Sequence, residues 1–187
     1  MQIIVATGNT DKFEEIASTL KEFGINAKQA SIDVEEVGSS IEEIVVDKAK
    51  KAFAQIQQPL ITDDTGIYFE AYEDFPGAFP RRTIEKLGLA GLLKKLEGME
   101  RGAFFKTVIC YIDANGYEIF DGILEGRIDN KIHGIGRRNL PYDRIFLPFG
   151  YNIPMCALTL NEITRISHRA QATRKFAKWI KSAKKKR

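Results

Sequence analysis

The chain opens on a short apolar strand, Gln2-Ile3-Ile4-Val5-Ala6, that runs without a break into Thr7-Gly8-Asn9-Thr10-Asp11-Lys12, and a helical pattern starts at once. A strand feeding a helix through a few small residues is the first half of a β-α-β unit, so the N-terminal part is committed to a parallel sheet covered by helices. The same order brings a helix N-terminus and one lysine to a single point. Backbone N–H groups at a helix start, aided by the helix dipole, favour an anion, and Lys12, one turn in, adds a full positive charge. Residues 7–12 are read as a phosphate cradle. They are not the Gly-x-x-x-x-Gly-Lys-Ser/Thr loop, and the competing reading is a plain strand-helix turn in which Asn9 is only the N-cap.

The rest of the pattern extends that start. Residues 11–23 carry Phe13, Ile16, Ala17, Leu20 and Phe23 at helical spacing, and Gly24 closes the helix. A second strand is expected over 27–32. A second helix follows, capped by Ser39 or Ser40 with Glu42 or Glu43 in its first turn, and runs to Gln57. Pro59 stops it, and residues 60–63 read as a short buried strand. Residues 83–96 are a helix with Ile84, Leu87, Leu92, Leu93 and Leu96 inward. Residues 103–113 and 117–127 are two long antiparallel strands joined by Ala114-Asn115-Gly116, a hairpin signal. A short strand over 143–147 and one closing helix over 161–183, with Ile166, Ala170, Phe176 and Ile180 inward, complete the chain. The expected fold class is α/β: an elongated mixed β-sheet with flanking helices, two lobes and a central cleft at the carboxyl ends of the parallel strands.

A chain of 187 residues with 44% apolar and 28% charged residues fits one globular domain over 1–187, here with two lobes. The formal net charge of +3 is misleading, because residues 184–187 are all basic. Without them the body holds 24 basic and 25 acidic residues. It is not a cationic surface, so no nucleic-acid partner is expected; the basic tail extends into solvent beyond the last helix. Cys110 and Cys156 stand far apart in apolar surroundings and read as buried thiols. No signal peptide or membrane-length apolar run is seen, so the expected location is cytoplasmic, with no membrane partner.

Chemistry concentrates at strand ends. Asp63-Asp64-Thr65-Gly66 follows the third strand and is read as a tight turn. Neighbouring strand side chains point to opposite sides, so one aspartate serves the cleft and the other the scaffold. Carboxylate oxygen beside phosphates is how Mg2+ is usually held, with few carboxylates and several waters. Glu35-Glu36, after the second strand, can approach Asp64 from the neighbouring strand end. Phe75-Pro76-Gly77-Ala78-Phe79-Pro80-Arg81-Arg82 is a loop that either covers the cleft, an arginine reaching phosphate, or merely connects. Ser167, His168 and Arg169 point three ways on a helix, which argues against a Ser-His nucleophile pair. His168 and Arg169 can contact a planar ligand. In Tyr142-Asp143 the carboxylate can accept a purine edge and the ring can stack.

Five of these motifs, Thr7-Gly8-Asn9-x-x-Lys12, Asp63-Asp64-Thr65-Gly66, Phe75-Pro76-Gly77, Tyr142-Asp143 and Ser167-His168-Arg169, stand in the order found in the inosine/xanthosine triphosphate pyrophosphatases, and the chain resembles that family over nearly its whole length. The resemblance implies Mg2+-dependent hydrolysis of ITP, dITP or XTP between the α- and β-phosphates, giving a nucleoside monophosphate and pyrophosphate, in a homodimer. It implies that Thr7, Gly8, Asn9, Thr10 and Lys12 hold the triphosphate, with Lys12 also catalytic. Asp64 binds metal or activates water, and Glu36, or almost equally Glu35, is the other metal carboxylate. Thr65 touches phosphate or sugar, Tyr142 and Asp143 line the base pocket, and His168 with Arg169 reads the 6-oxo edge. There are departures. Leu140-Pro141 stands where the family has Phe-Gly, Arg137-Arg138-Asn139 replaces a glycine-rich run, and Ile163 stands where a lysine is usual, leaving Arg165 or Arg138 to supply that charge. The phosphate half is intact and the base half altered. The alternatives are a nucleotide-binding protein with lost or redirected base specificity, a pyrophosphatase for modified pyrimidine nucleotides, and an RNA-binding module using the basic tail.

Overall fold

The computed structural model describes residues 1–32, 34, 37–134 and 140–185. Strand β1 (Gln2–Ala6) leads into helix α1 (Thr10–Lys21), then β2 (Asn26–Ala30), α2 (Ile41–Ile56) and β3 (Leu60–Phe69). β1 pairs in parallel with β2, from Gln2↔Asn26 to Ala6↔Ala30, and with β3 at Ile4↔Leu60 and Val5↔Ile61. The expected parallel opening is therefore present. A short β4 (Pro76–Gly77) and helix α3 (Pro80–Lys95) precede the long hairpin β5 (Gly102–Asp113) and β6 (Gly116–Ile128), and β7 (Phe146–Pro148), α4 (Leu160–Ile166) and α5 (His168–Lys185) complete the chain. The sheet runs β2-β1-β3-β5-β6-β7, with β4 on β3, and everything beyond the three parallel strands is antiparallel.

Sheet periodicity distributes the core. Ile61 enters a cluster beneath α1 and α5, with Val5, Ile16, Leu20, Ile109 and Phe176. Its neighbour Leu60 enters a cluster beneath α2, with Val45, Ala49, Val108 and Cys110. A third cluster, around Phe69, Leu92, Phe105 and Phe146, packs α3 at the far end of the sheet. Of the inward residues expected on the closing helix, Ala170, Phe176 and Ile180 are buried. Truncating a fully buried Leu or Phe in such clusters costs about 2–5 kcal/mol.

Several boundaries differ from the sequence reading, each for a local reason. Asp63 to Gly66 is not a turn: β3 continues through it to Phe69, because β5 pairs with it along its whole length, Leu60↔Ile112 to Phe69↔Ala103. Gly66 is required there, since a Cβ would lie 2.8 Å from the Gly77 carbonyl oxygen of β4. α3 begins earlier than expected, at Pro80, whose fixed φ suits the first helical position, and it is kinked at Gly88 (φ 63°, ψ 173°). The closing helix is two helices. Ser167 is extended (φ −64°, ψ 152°) and its Oγ accepts the Ala170 N–H at 3.0 Å, so it caps α5. Asp143 lies in a 3-10 turn, Pro141–Arg144, begun by the proline, and the strand starts only at Phe146. Cys110 is buried, its thiol pushed up to about 12 by burial; Cys156 is only half-buried, its Sγ 3.9 Å from the Gly134 carbonyl oxygen. Among the described residues no helix is long and apolar enough to cross a membrane.

Candidate active site

The turn after β1 is an N-cap and a cavity wall at once. Asn9 Oδ1 accepts the Lys12 N–H at 3.1 Å, and Thr7 Oγ1 accepts the Asn9 N–H at 3.3 Å. Asn9 is thus the N-cap of α1. The turn lines a cavity of about 1190 Å3, and Thr7, Gly8, Asn9, Thr10 and Lys12 all face it. Asp64, Thr65, Tyr142, Asp143, His168 and Arg169 line the same cavity, so eleven residues expected to work together share one hollow.

The two aspartates divide as the pleat requires. Asp64 lies on the α2 side of β3 and on the cavity wall, with Lys48 Nζ 3.6 Å from its Oδ1. Asp63 lies on the α1 and α5 side, 2 % exposed, where its Oδ2 meets Lys12 Nζ at 3.0 Å and Arg169 Nε at 3.2 Å. Lys12 therefore pairs with Asp63. Burial works to raise the Asp63 pKa, but the charges of Lys12, Arg169 and Lys48 outweigh it and hold the carboxyl well below the usual carboxylate range.

Arg169 is the hub of a buried network. Nη1 donates to Glu15 Oε2 at 2.8 Å, Nε to Asp63, and Nη2 to Thr65 Oγ1 at 3.1 Å. Glu15, wholly buried on α1, also accepts the Ser167 hydroxyl. Burial works against the guanidinium charge, and the two carboxylates, Glu15 first, more than restore it, so the pKa is raised. From Thr65 a further chain leads to Thr107 Oγ1 at 2.6 Å and on to His168 Nδ1 at 2.6 Å. The His168 ring stacks on Phe105, centroids 4.8 Å apart. α5 can start this close to the sheet because residue 122 on β6 is glycine: a Cβ there would overlap the His168 carbonyl oxygen.

The other end of the cavity is built from the start of α3 and the 3-10 turn. Tyr142, its phenol pushed up by burial, donates its hydroxyl to the Pro80 carbonyl at 2.9 Å and ties the two together. Phe79 lines the cavity with Arg82 over its ring, 4.5 Å from the centroid. Leu140 and Pro141 lie on the same wall, whereas Ile163 is buried in the core and Arg165 is exposed, away from the cavity. Arg165 is thus not placed to supply the missing lysine charge. Glu35, Glu36 and residues 137–139 lie outside the described residues.

Among the described residues no three His, Cys, Asp or Glu side chains cluster to hold a metal. Mg2+ does not need such a cluster, since one or two carboxylates, phosphate oxygens and waters suffice. Asp64, a carboxylate on the cavity wall beside the cradle, fits that chemistry.

Glu15, Lys48 and Thr107 were missed from the sequence. Two of them left a signal. On α2 the buried residues Ile41, Ile44, Val45, Ala49 and Ala52 make one stripe, and Lys48 occupies a place inside it. On α1 the buried residues are Glu15, Ile16, Thr19 and Leu20, a stripe turned toward Lys12 rather than centred on Phe13 and Ala17. A charged residue inside an apolar stripe marks a buried partner.

The Ham1 family model matches residues 3–179. A dITP/XTP pyrophosphatase of Methanopyrus kandleri is 35% identical over 185 residues, 97% of each chain, and one of Pyrococcus horikoshii is 35% identical over 187 residues, again 97% of each. The solved structure of a HAM1 protein from Coxiella burnetii superposes with a TM-score of 0.81 at 26% identity, covering 97% of this chain and 99% of that one. With the shared fold, the near-complete coverage and four of the five motifs gathered on one cavity, the chain belongs to the Ham1 family.

Proposed function

We propose that this protein hydrolyses non-canonical purine nucleoside triphosphates, dITP and XTP among them, to the nucleoside monophosphate and pyrophosphate, with Mg2+ as cofactor. The names of its relatives support the substrate class. The observation that carries the reading is that the α1 N-terminus with Lys12 and the Asp64 carboxylate face one cavity.

The residues divide the work. The first turn of α1, Lys12 and Lys48 offset the charge of a polyphosphate as it spreads over the oxygens in the transition state. Lys12 is held in place by Asp63, and Asp63 by Arg169. Asp64 orients the attacking water or takes its proton, and Lys48 fixes the carboxylate. Asp64, with the Glu36 or Glu35 carboxylate that the family resemblance implies, would hold Mg2+, which would supply charge neutralisation and a more acidic bound water. Tyr142 and Asp143 line the base end, and His168 and Arg169 stand between the two ends. Arg169, with three bonds into the protein, acts chiefly by holding Asp63 and Thr65. Leu140 in place of an aromatic supports weaker stacking on the base and so a higher KM, and a homodimer is proposed on the family resemblance alone.

The test is a substrate panel. ITP, dITP, XTP, the four common triphosphates and modified pyrimidine triphosphates are incubated with and without Mg2+, and pyrophosphate release is measured. Turnover confined to ITP, dITP and XTP and to the metal-containing reactions is the expected result. Binding without turnover for every nucleotide would leave only a nucleotide-binding role.

A further inference from the structure

We infer that Phe79, set at the start of α3 by the Phe75-Pro76-Gly77 motif, is the platform on which the base of a nucleotide stacks. The inference rests on the proposed function and deepens it: it names a base contact within the same cavity.

Among the described residues, the phenylalanines and tyrosines that line the cavity are Phe79, Phe105 and Tyr142. Two of these rings are taken up by the fold. Phe105 is 5 % exposed and packs on Phe146 and His168. Tyr142 is 6 % exposed, belongs to the cluster around Phe69, and donates its hydroxyl to the Pro80 carbonyl. Phe79 is half-buried and differs from both. Ala78 before it packs on the cluster beneath α2, and Ile84 after it on the cluster around Phe69. Phe79 itself joins none of the three clusters of described residues. The Arg82 guanidinium covers one face of its ring, 4.5 Å from the centroid. No core cluster covers the other. An aromatic side chain left outside the core on a cavity wall is suited to the apolar surface of a ligand.

The ring stands at the base end and is fixed there before any ligand binds. The Tyr142 hydroxyl joins the start of α3 to the turn that carries Asp143, and Leu140 beside that turn offers no aromatic face. Upstream, Gly77 pairs with Ile67 of β3 at a φ of 71°, and a Cβ there would lie 2.5 Å from the Asp74 carbonyl oxygen. Two residues on, the Phe79 carbonyl accepts both the N–H and the hydroxyl of Thr83, each at 3.2 Å. A ring held in this way loses little freedom on binding. Phe75, Pro76 and Gly77 do not line the cavity among the described residues; their contribution is the placement of Phe79. Every base has a π-face, so the platform strengthens binding without choosing between a 6-oxo and a 6-amino group.

The experiment uses the full chain as wild type, Phe79→Leu and Phe79→Tyr. The probes are inosine monophosphate and inorganic tripolyphosphate, which has no base. In wild type with protonated phenylalanine rings in a deuterated background, nuclear Overhauser contacts are expected between one ring and the base protons of inosine monophosphate. The ring signals that vanish in Phe79→Tyr identify that ring as Phe79. By calorimetry, Phe79→Leu, which keeps apolar bulk but not the ring, is expected to weaken inosine monophosphate binding by about fivefold or more. Phe79→Tyr is expected to restore it, and tripolyphosphate affinity to be equal in all three proteins. No contact to Phe79 in the wild type, an unchanged nucleotide affinity in Phe79→Leu, or an equal loss for both probes overturns the inference. The wild-type contact decides alone if the leucine variant does not fold. A wild type that shows the contact yet releases no pyrophosphate from any triphosphate overturns the functional reading and leaves the platform standing.

Discussion

The two ends of the cavity are built on opposite principles. At the cradle end, Lys12, Glu15, Asp63 and Arg169 come from α1, β3 and α5, and each charge meets an opposite one at 2.8–3.2 Å. At the base end, Phe79 is a half-buried ring, and Arg82 above it has no carboxylate partner among the described residues. The connection from β7 back to the cavity is one 3-10 turn. The difference shows where tolerance lies. A closed set of buried ion pairs cannot lose a member without leaving a charge unpaired, whereas a wall of aromatic and aliphatic side chains can be exchanged one at a time. That accounts for a chain whose motifs are intact at residues 7–12 and 63–66 but altered at 140–141.

If the contrast is right, the largest effects come from the cradle end and are of two distinct kinds. Asp64 lies on the α2 side of β3, opposite the face on which Asp63 meets Arg169, so Asp64→Asn is expected to lower kcat by about a hundredfold or more with the melting temperature nearly unchanged. Pyrophosphate release and thermal unfolding on one sample decide it, and full turnover removes Asp64 from the mechanism. Glu15→Ala strips Arg169 of its larger stabilising charge and is expected to cost about 3–5 kcal/mol of stability. Denaturant unfolding measures this, and a loss under about 1 kcal/mol would show that the network is not closed.

The middle of the range belongs to Lys12 and to acid. Lys12→Ala removes one charge from the cradle and one partner from Asp63, so KM is expected to rise and kcat to fall, each by about tenfold. Steady-state kinetics with dITP separate this from the Asp64 effect, in which KM stays near its original value. Asp63 has a folded pKa below its unfolded one, so the unfolded chain binds the proton more readily. The stability that Asp63 contributes is complete above the unfolded carboxylate value of about 4 and is lost as the pH falls from there toward the folded value. Wild type is expected to lose stability over that window more steeply than Asp63→Asn. Parallel acid titrations of the two would contradict the assignment of this pair.

Much of this was legible in the sequence because the relevant signals are local. A strand running into a capped helix, a hairpin with Asn-Gly at its turn and two carboxylates on alternating faces each depend on a few adjacent residues. What was not legible depends on distant ones. Asp63 to Gly66 reads as a turn until β5, more than forty residues later, pairs along it. The closing helix reads as continuous until Ser167, which has no breaker beside it, is found capping α5 and bonded to Glu15, 152 residues away. Glu15 and Lys48 stand as charges inside apolar stripes, and a stripe does not say which distant residue a charge within it meets. Thr107 left no trace, since a threonine in a strand is ordinary.

The smallest expected effect is the most direct probe of the base end. Leu140 lies on the cavity wall beside Pro141 and Tyr142, in an extended conformation (φ −123°, ψ 94°) that an aromatic side chain adopts without strain. Leu140→Phe restores a flat ring without touching Lys12, Asp64 or the Arg169 network. An aromatic contact adds about 0.5–1.5 kcal/mol beyond area burial, so KM for dITP is expected to fall by about two- to tenfold with kcat unchanged. Stacking is nearly indifferent to the base, so KM values for 6-oxo and 6-amino nucleotides should fall together, and their ratio, set by polar groups such as His168, should not move. A Leu140→Phe protein with a changed ratio would mean that the wall at 140 takes part in reading the purine edge, and the division between a fixed polar selector and an exchangeable apolar wall would have to be given up.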